Sequence, residues 1–184
     1  MIARTLMLFV WGIAMTACSV DEHREVTSAE FKRPQDVLTR VCAAPSSHSG
    51  IIEAVRALGW PLLTRNQIPK QVLGNGMVTW TEVAEAPGQN FLVAVGQLDQ
   101  TSFCRVYLRR TPAASVQAAL ERLEILDEPL GKPDFRKRID ESDVVGWHKG
   151  GRPDWRAVQV SEAVRESSNP QEMPVMMEMT RPKS

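Results

Sequence analysis

The sequence predicts an α+β fold, one small domain in which two or three helices pack on an antiparallel sheet. Three observations carry this. Apolar residues recur at helical spacing in residues 34–58 and again after residue 111. Between those stretches, three runs rich in β-branched residues are separated by short turns. Apolar content of 43% with 24% charged residues is that of a chain that folds. Helices and strands segregated along the chain, rather than strictly alternating, indicate an α+β arrangement.

The elements follow in order. Pro34 to Ala44 predicts a short helix, with Pro34 at its start, Val37, Leu38 and Val41 near helical spacing, and Cys42 in the last turn. Pro45 blocks its continuation. Ser46 or Ser47 caps a second helix running to Leu58, where Ile51, Val55 and Leu58 repeat at i, i+4, i+7. Gly59 suits the left-handed position after a helix end. Residues 61–75 read as irregular, and Gly74-Asn75-Gly76 as a turn.

Met77 to Val83 reads as a strand containing Trp80. Phe91 to Gly96, apolar on both faces, reads as a central strand. In Cys104 to Arg109, Cys104, Val106 and Leu108 alternate with Arg105, Tyr107 and Arg109, which predicts a half-buried strand with its cysteine inward. The three make an antiparallel meander. Thr111-Pro112 then opens a helix with Thr as cap and Pro at N1, lined by Val116, Ala119, Leu120, Leu123 and Leu126 and ended by Pro129 and Gly131. Asp143 to Trp147 reads as a short strand. Trp155 to Val164 and Met173 to Met179 read as strands that pair across Ser167-Ser168-Asn169-Pro170.

The N-terminus has its own logic. Arg4 precedes an almost entirely apolar run from Leu6 to Ala17, too short for the roughly 20 residues of a bilayer span. Small residues follow it, as at a signal-peptide cleavage site. Met15-Thr16-Ala17-Cys18 resembles the lipobox of bacterial lipoproteins, with Met15 where that family usually has Leu. The resemblance covers residues 1–19. It implies lipidation of Cys18 as the mature N-terminus, and Ser19 in the next position implies sorting to the periplasmic face of the outer membrane. The competing reading is ordinary cleavage after Ser19 and a soluble periplasmic product. The chain therefore divides into a signal peptide (1–17), a lipid-anchored polar tether (18–33) and a single α+β domain (34–184).

Cysteine use agrees with export. With Cys18 lipidated, Cys42 and Cys104 are the remaining thiols, and an even pair in an oxidising compartment predicts a disulfide. Without lipidation, three pairings exist. Cys42, the helix before Gly59-Trp60, the meander and Cys104-Arg105-Val106 together resemble small secreted proteins of proteobacteria to which no activity is assigned.

Charge is balanced, 22 basic against 22 acidic residues, which argues against a nucleic-acid partner. The basic groups Arg105, Arg109, Arg110 and Arg136, Lys137, Arg138 read as solvated faces. No nucleophile elbow, phosphate loop or dinucleotide fingerprint occurs. His23, His48 and His148 lack metal-ligand spacing, and no cofactor is predicted. Met173, Met176, Met177 and Met179 form the most distinctive cluster. Thioethers bind Cu(I), but Met173, Met177 and Met179 on one strand face with Val175 also suit a plain core face, which is the favoured reading. Trp60, Trp80, Trp147 and Trp155 read chiefly as core anchors.

The leading functional expectation is a non-enzymatic envelope domain, held at the membrane by its lipid, that binds an envelope protein or cell-wall component. Periplasmic copper handling through the methionines is the second reading. A hydrolase with a cleft of paired carboxylates or a Ser–His pair is the third.

Overall fold

The computed structural model describes residues 31, 33–73, 78–88, 91–125, 127–150, 156–163 and 173–182. The signal peptide, Cys18, nearly all of the tether, the Gly74–Gly76 turn, Trp155 and the Ser167–Pro170 turn lie outside them.

Helix α1 (Pro34–Val37) starts on its proline and widens into a π-helical stretch, Leu38–Ala43. Helix α2 (His48–Ala57) is capped by Ser47, whose Oγ accepts the Gly50 N–H at 3.1 Å. It ends at Gly59, whose φ of +65° is free of Cβ strain in glycine. Helix α3 (Lys70–Leu73) is a single turn, and α4 (Ala113–Leu120) precedes the last half of the sheet.

The strands are β1 (Thr79–Glu85), β2 (Phe91–Leu98), β3 (Thr101–Leu108), β4 (Glu124–Ile125), β5 (Glu128–Pro129), β6 (Phe135–Ile139), β7 (Ser142–Lys149), β8 (Arg156–Ala163) and β9 (Val175–Pro182). Seven of them form one antiparallel sheet in the order β1-β2-β3-β9-β8-β7-β6, and β4 and β5 form a small hairpin. The fold is α+β but mostly sheet.

One sheet face packs under α1, the π-helical stretch, α2 and α4. Val93, Val95, Cys104, Val106, Leu108, Met177, Met179, Val158, Val160 and Trp147 are essentially inaccessible there. Trp147 has no exposed surface, and its indole N–H donates to the Gly131 carbonyl at 2.9 Å, so a large ring is buried without an orphaned donor. Trp60 stands edge-on between Phe31 and Phe91. The disulfide joins Cys42 of the π-helical stretch to Cys104 of β3, with Cα atoms 5.4 Å apart. It staples the helical layer to the centre of the sheet.

Several sequence expectations change. The helix after Thr111 ends at Leu120 rather than Leu126, because Glu124–Ile125 leaves it to pair with Glu128–Pro129. Asp127 turns that hairpin at φ +59°, a value that short polar side chains tolerate. Thr111 does not cap; its hydroxyl donates to the Arg109 carbonyl, and Pro112 is the N-cap. Residues 61–75 include α3 and a bridge from Leu62 to Ala84. Strand β6 occupies Phe135-Arg136-Lys137-Arg138-Ile139, whose run of basic residues reads in sequence as a solvated face. Strands β8 and β9 do pair. Strand β9 also inserts beside β3, a long-range pairing that local pattern does not encode.

Candidate functional site

The second sheet face is different in kind. In register across it lie Val83, Ala94, Arg105, Glu178, Gln159, Gly146 and Phe135, one from each of the seven strands. The centre of this row is a polar cluster. Glu178, only 4% exposed, takes the Arg105 Nε–H on one carboxylate oxygen. Its other oxygen accepts from Gln159 Nε2 and Thr180 Oγ1, both at 2.8 Å. Burial alone would disfavour both charges; the mutual pairing and the two neutral donors offset that penalty.

Aromatic rings flank the cluster. The Arg105 guanidinium carbon lies 5.0 Å from the Phe103 ring centroid and 5.3 Å from that of Trp80. Trp80 lies over Gly96, where an added Cβ would stand 2.8 Å from the indole, so a side chain there would evict the ring. Phe135 lies over Gly146 in the same way at the other side of the sheet. Burial works against the Arg105 cation, but Glu178 and Tyr107 outweigh it and hold its pKa above the usual arginine value. Burial pushes the Tyr107 phenol up, partly countered by Arg105.

Beyond Trp80 the face opens into a groove of about 600 Å³ at the outer edge of β1. Leu63, Ile68, Leu73 and Val78 supply apolar walls, and Arg65, Thr79, Thr81 and Glu82 bring polar groups to it. Glu82 is bonded to Arg56 of α2. Thr81 Oγ1 stands 3.4 Å from His48 Nε2, at the outer limit of a hydrogen bond.

The sequence-predicted residues fall as follows. Cys42 and Cys104 meet in the disulfide. Cys18 lies outside the described residues. The methionines do not converge. Met177 and Met179 face the helix-covered core, whereas Met173, which precedes β9, and Met176 pack in the cluster of Val72, Val83, Leu92 and Tyr107 on the other side. The expected grouping of Met173 with Met177 and Met179 fails because β9 begins only at Val175. Among the described residues, no three His, Cys, Asp or Glu side chains gather as a metal site would need, and no helix is long and apolar enough to cross a membrane. His148 is exposed beside the Phe135 ring.

Sequence reasoning missed Arg105, Glu178 and Gln159. The available signal was alternation, which put Arg105 and Tyr107 together on one face of β3. No family model matches the chain, and neither a curated protein nor a solved structure matches it.

Proposed function

We propose that this chain is an exported, non-catalytic binding domain of the bacterial envelope, tethered through lipidated Cys18, that seats a protein partner in the groove beside Trp80. The groove carries the reading. It lines one wall with the half-buried ring of Trp80 and four half-buried aliphatic side chains, with charged groups at their margin, as in the anchor region of a protein-binding patch. Export is supported by the Cys42–Cys104 bridge, since such bonds persist in oxidising compartments. A non-catalytic role is favoured because Glu178, the most buried acid described, has both oxygens engaged and no lone role as a base.

A photocrosslinking residue placed at Thr79 of the full chain in cell envelopes tests this. A discrete adduct is expected that disappears in a Trp80→Ala, Arg65→Glu variant whose disulfide is intact. A crosslinker at Ile139, on the opposite edge of the sheet, is expected to give none. The same adduct from both positions, or turnover of a cell-wall substrate that Thr81→Val abolishes, would overturn the reading.

A further inference from the structure

We infer that the groove takes an extended polypeptide segment, which adds as a strand to the outer edge of β1 at Thr79–Glu82 and sets an acidic group on Arg65. This rests on the groove being the binding site.

The main chain is the first argument. β1 is an end strand of the sheet. Its outer side is covered over only part of its length, by the protein's own residues 61–63: Leu62 stands opposite Ala84, the Leu63 N–H donates to the Val83 carbonyl at 2.8 Å, and the Glu85 N–H donates to the Pro61 carbonyl at 3.1 Å. At Thr64 the covering segment turns away, with Gln67 bonded back to it. Among the described residues no strand then pairs with Thr79–Glu82 on that side. Among the described residues the protein thus begins a strand addition and leaves Thr79–Glu82 without an outer neighbour, over roughly 13 Å at the rise of an extended chain.

The two ends of the sheet supply the second argument. The β6 edge carries Arg136, Lys137 and Arg138, all exposed, a usual guard against stray pairing. The β1 edge presents Thr79, Trp80 and Thr81, and its two acids, Glu82 and Glu85, are paired with Arg56 and Arg109. A bulge at Thr81, between Trp80 and Glu82, bends this edge and restricts which strands can follow it; such bulges concentrate at strand edges and beside functional sites.

Side chains supply the third. In a docked strand alternate residues point the same way, so one set would enter the walls formed by Leu63, Ile68 and Leu73. Arg65, at the same groove, is exposed and makes no ion pair among the described residues, which leaves its guanidinium available to an acidic group on the ligand.

The probes are blocked six-residue peptides of alternating valine and threonine, ending in glutamate or lysine and labelled for fluorescence anisotropy with the purified full chain. The glutamate peptide is expected to bind roughly fivefold more tightly than the lysine peptide, the span of an exposed ion pair. Arg65→Glu is expected to reverse that order. N-methylation of the amides on one side of the peptide is expected to abolish binding, and on the other side to leave it unchanged. Hydrogen exchange at Thr79–Glu82 is expected to slow when the glutamate peptide is present. Insensitivity to methylation on either side, or no saturable binding of any peptide, would overturn strand addition. If the Thr79 adduct in envelopes persists in that case, the groove remains the binding site and only the mode of docking is wrong; if the adduct is also missing, both readings fall.

Discussion

Strands β3 and β9 are neighbours at the centre of the sheet, yet their two faces are held by different physics. On the helix side, Cys104, Val106 and Leu108 meet Met179, Met177 and Val175 in register, all at or near zero exposure. On the other side, Arg105 meets Glu178 and Tyr107 meets Met176. The first face is stabilised by apolar area and a covalent staple, which tolerate few changes of volume. The second depends on a charge pair whose partners complete one another's hydrogen bonds, which adds little net stability but fixes side-chain positions beside the groove. A protein can thus hold its fold with one face of a strand and shape a surface with the other.

Breaking the bond across the first face gives the largest effect expected. Cys42→Ala with Cys104→Ala reopens a loop of 62 residues. The loss should be about 4 kcal/mol, read as a shift of the urea midpoint with little change in the native far-ultraviolet spectrum. Met177→Ala on the same face leaves a cavity and should cost roughly 3 kcal/mol. Should it cost almost nothing, the face would be looser than its burial implies.

On the second face, Glu178→Ala removes the acceptor of Arg105, Gln159 and Thr180 and should cost about 2 kcal/mol, less than full burial would demand because water reaches part of Arg105. Adding Arg105→Met should recover part of that loss. Strict additivity in this double-mutant cycle would mean that the pair is not coupled.

The smallest effect is a titration. Tyr107 is the sole tyrosine, so phenolate absorbance reports it alone. Its folded pKa is raised by burial, so the native state retains its proton at pH values where the unfolded chain has lost it. The contribution is full below the ordinary tyrosine pKa of about 10 and is lost as pH rises through the higher folded value. The absorbance step should fall to the ordinary position on unfolding; coincident midpoints in the two states would contradict the burial.

Arg181 contrasts with Arg105 on the opposite face. It is buried, donates to the Cys42 and Pro45 carbonyls at the end of the π-helical stretch, and has its pKa lowered to about 10 by burial and by Arg156. Carbonyls at a helix end accept a cation, but they offset its desolvation less well than a carboxylate does.

How much of this could be read in advance depends on range. The Ser47 cap, the Gly59 stop, the meander and the inward Cys104 are set by neighbours within a few residues, and the sequence pattern announces them. Arg105 looked like a member of a solvated cluster because its partner Glu178 is 73 residues away. The methionines looked like one group because sequence proximity hides the two-sided alternation of a strand.

The sequence by itself determined the first two helices, the β1–β3 meander and which side of β3 turns inward, because capping, backbone torsions and period-two alternation are local. Only the tertiary structure decided that β9 lies between β3 and β8, that Arg105 meets Glu178, and that β1 stands at one end of the sheet. Those outcomes depend on which distant strands come to share hydrogen bonds, a choice made by burying the whole apolar face at once.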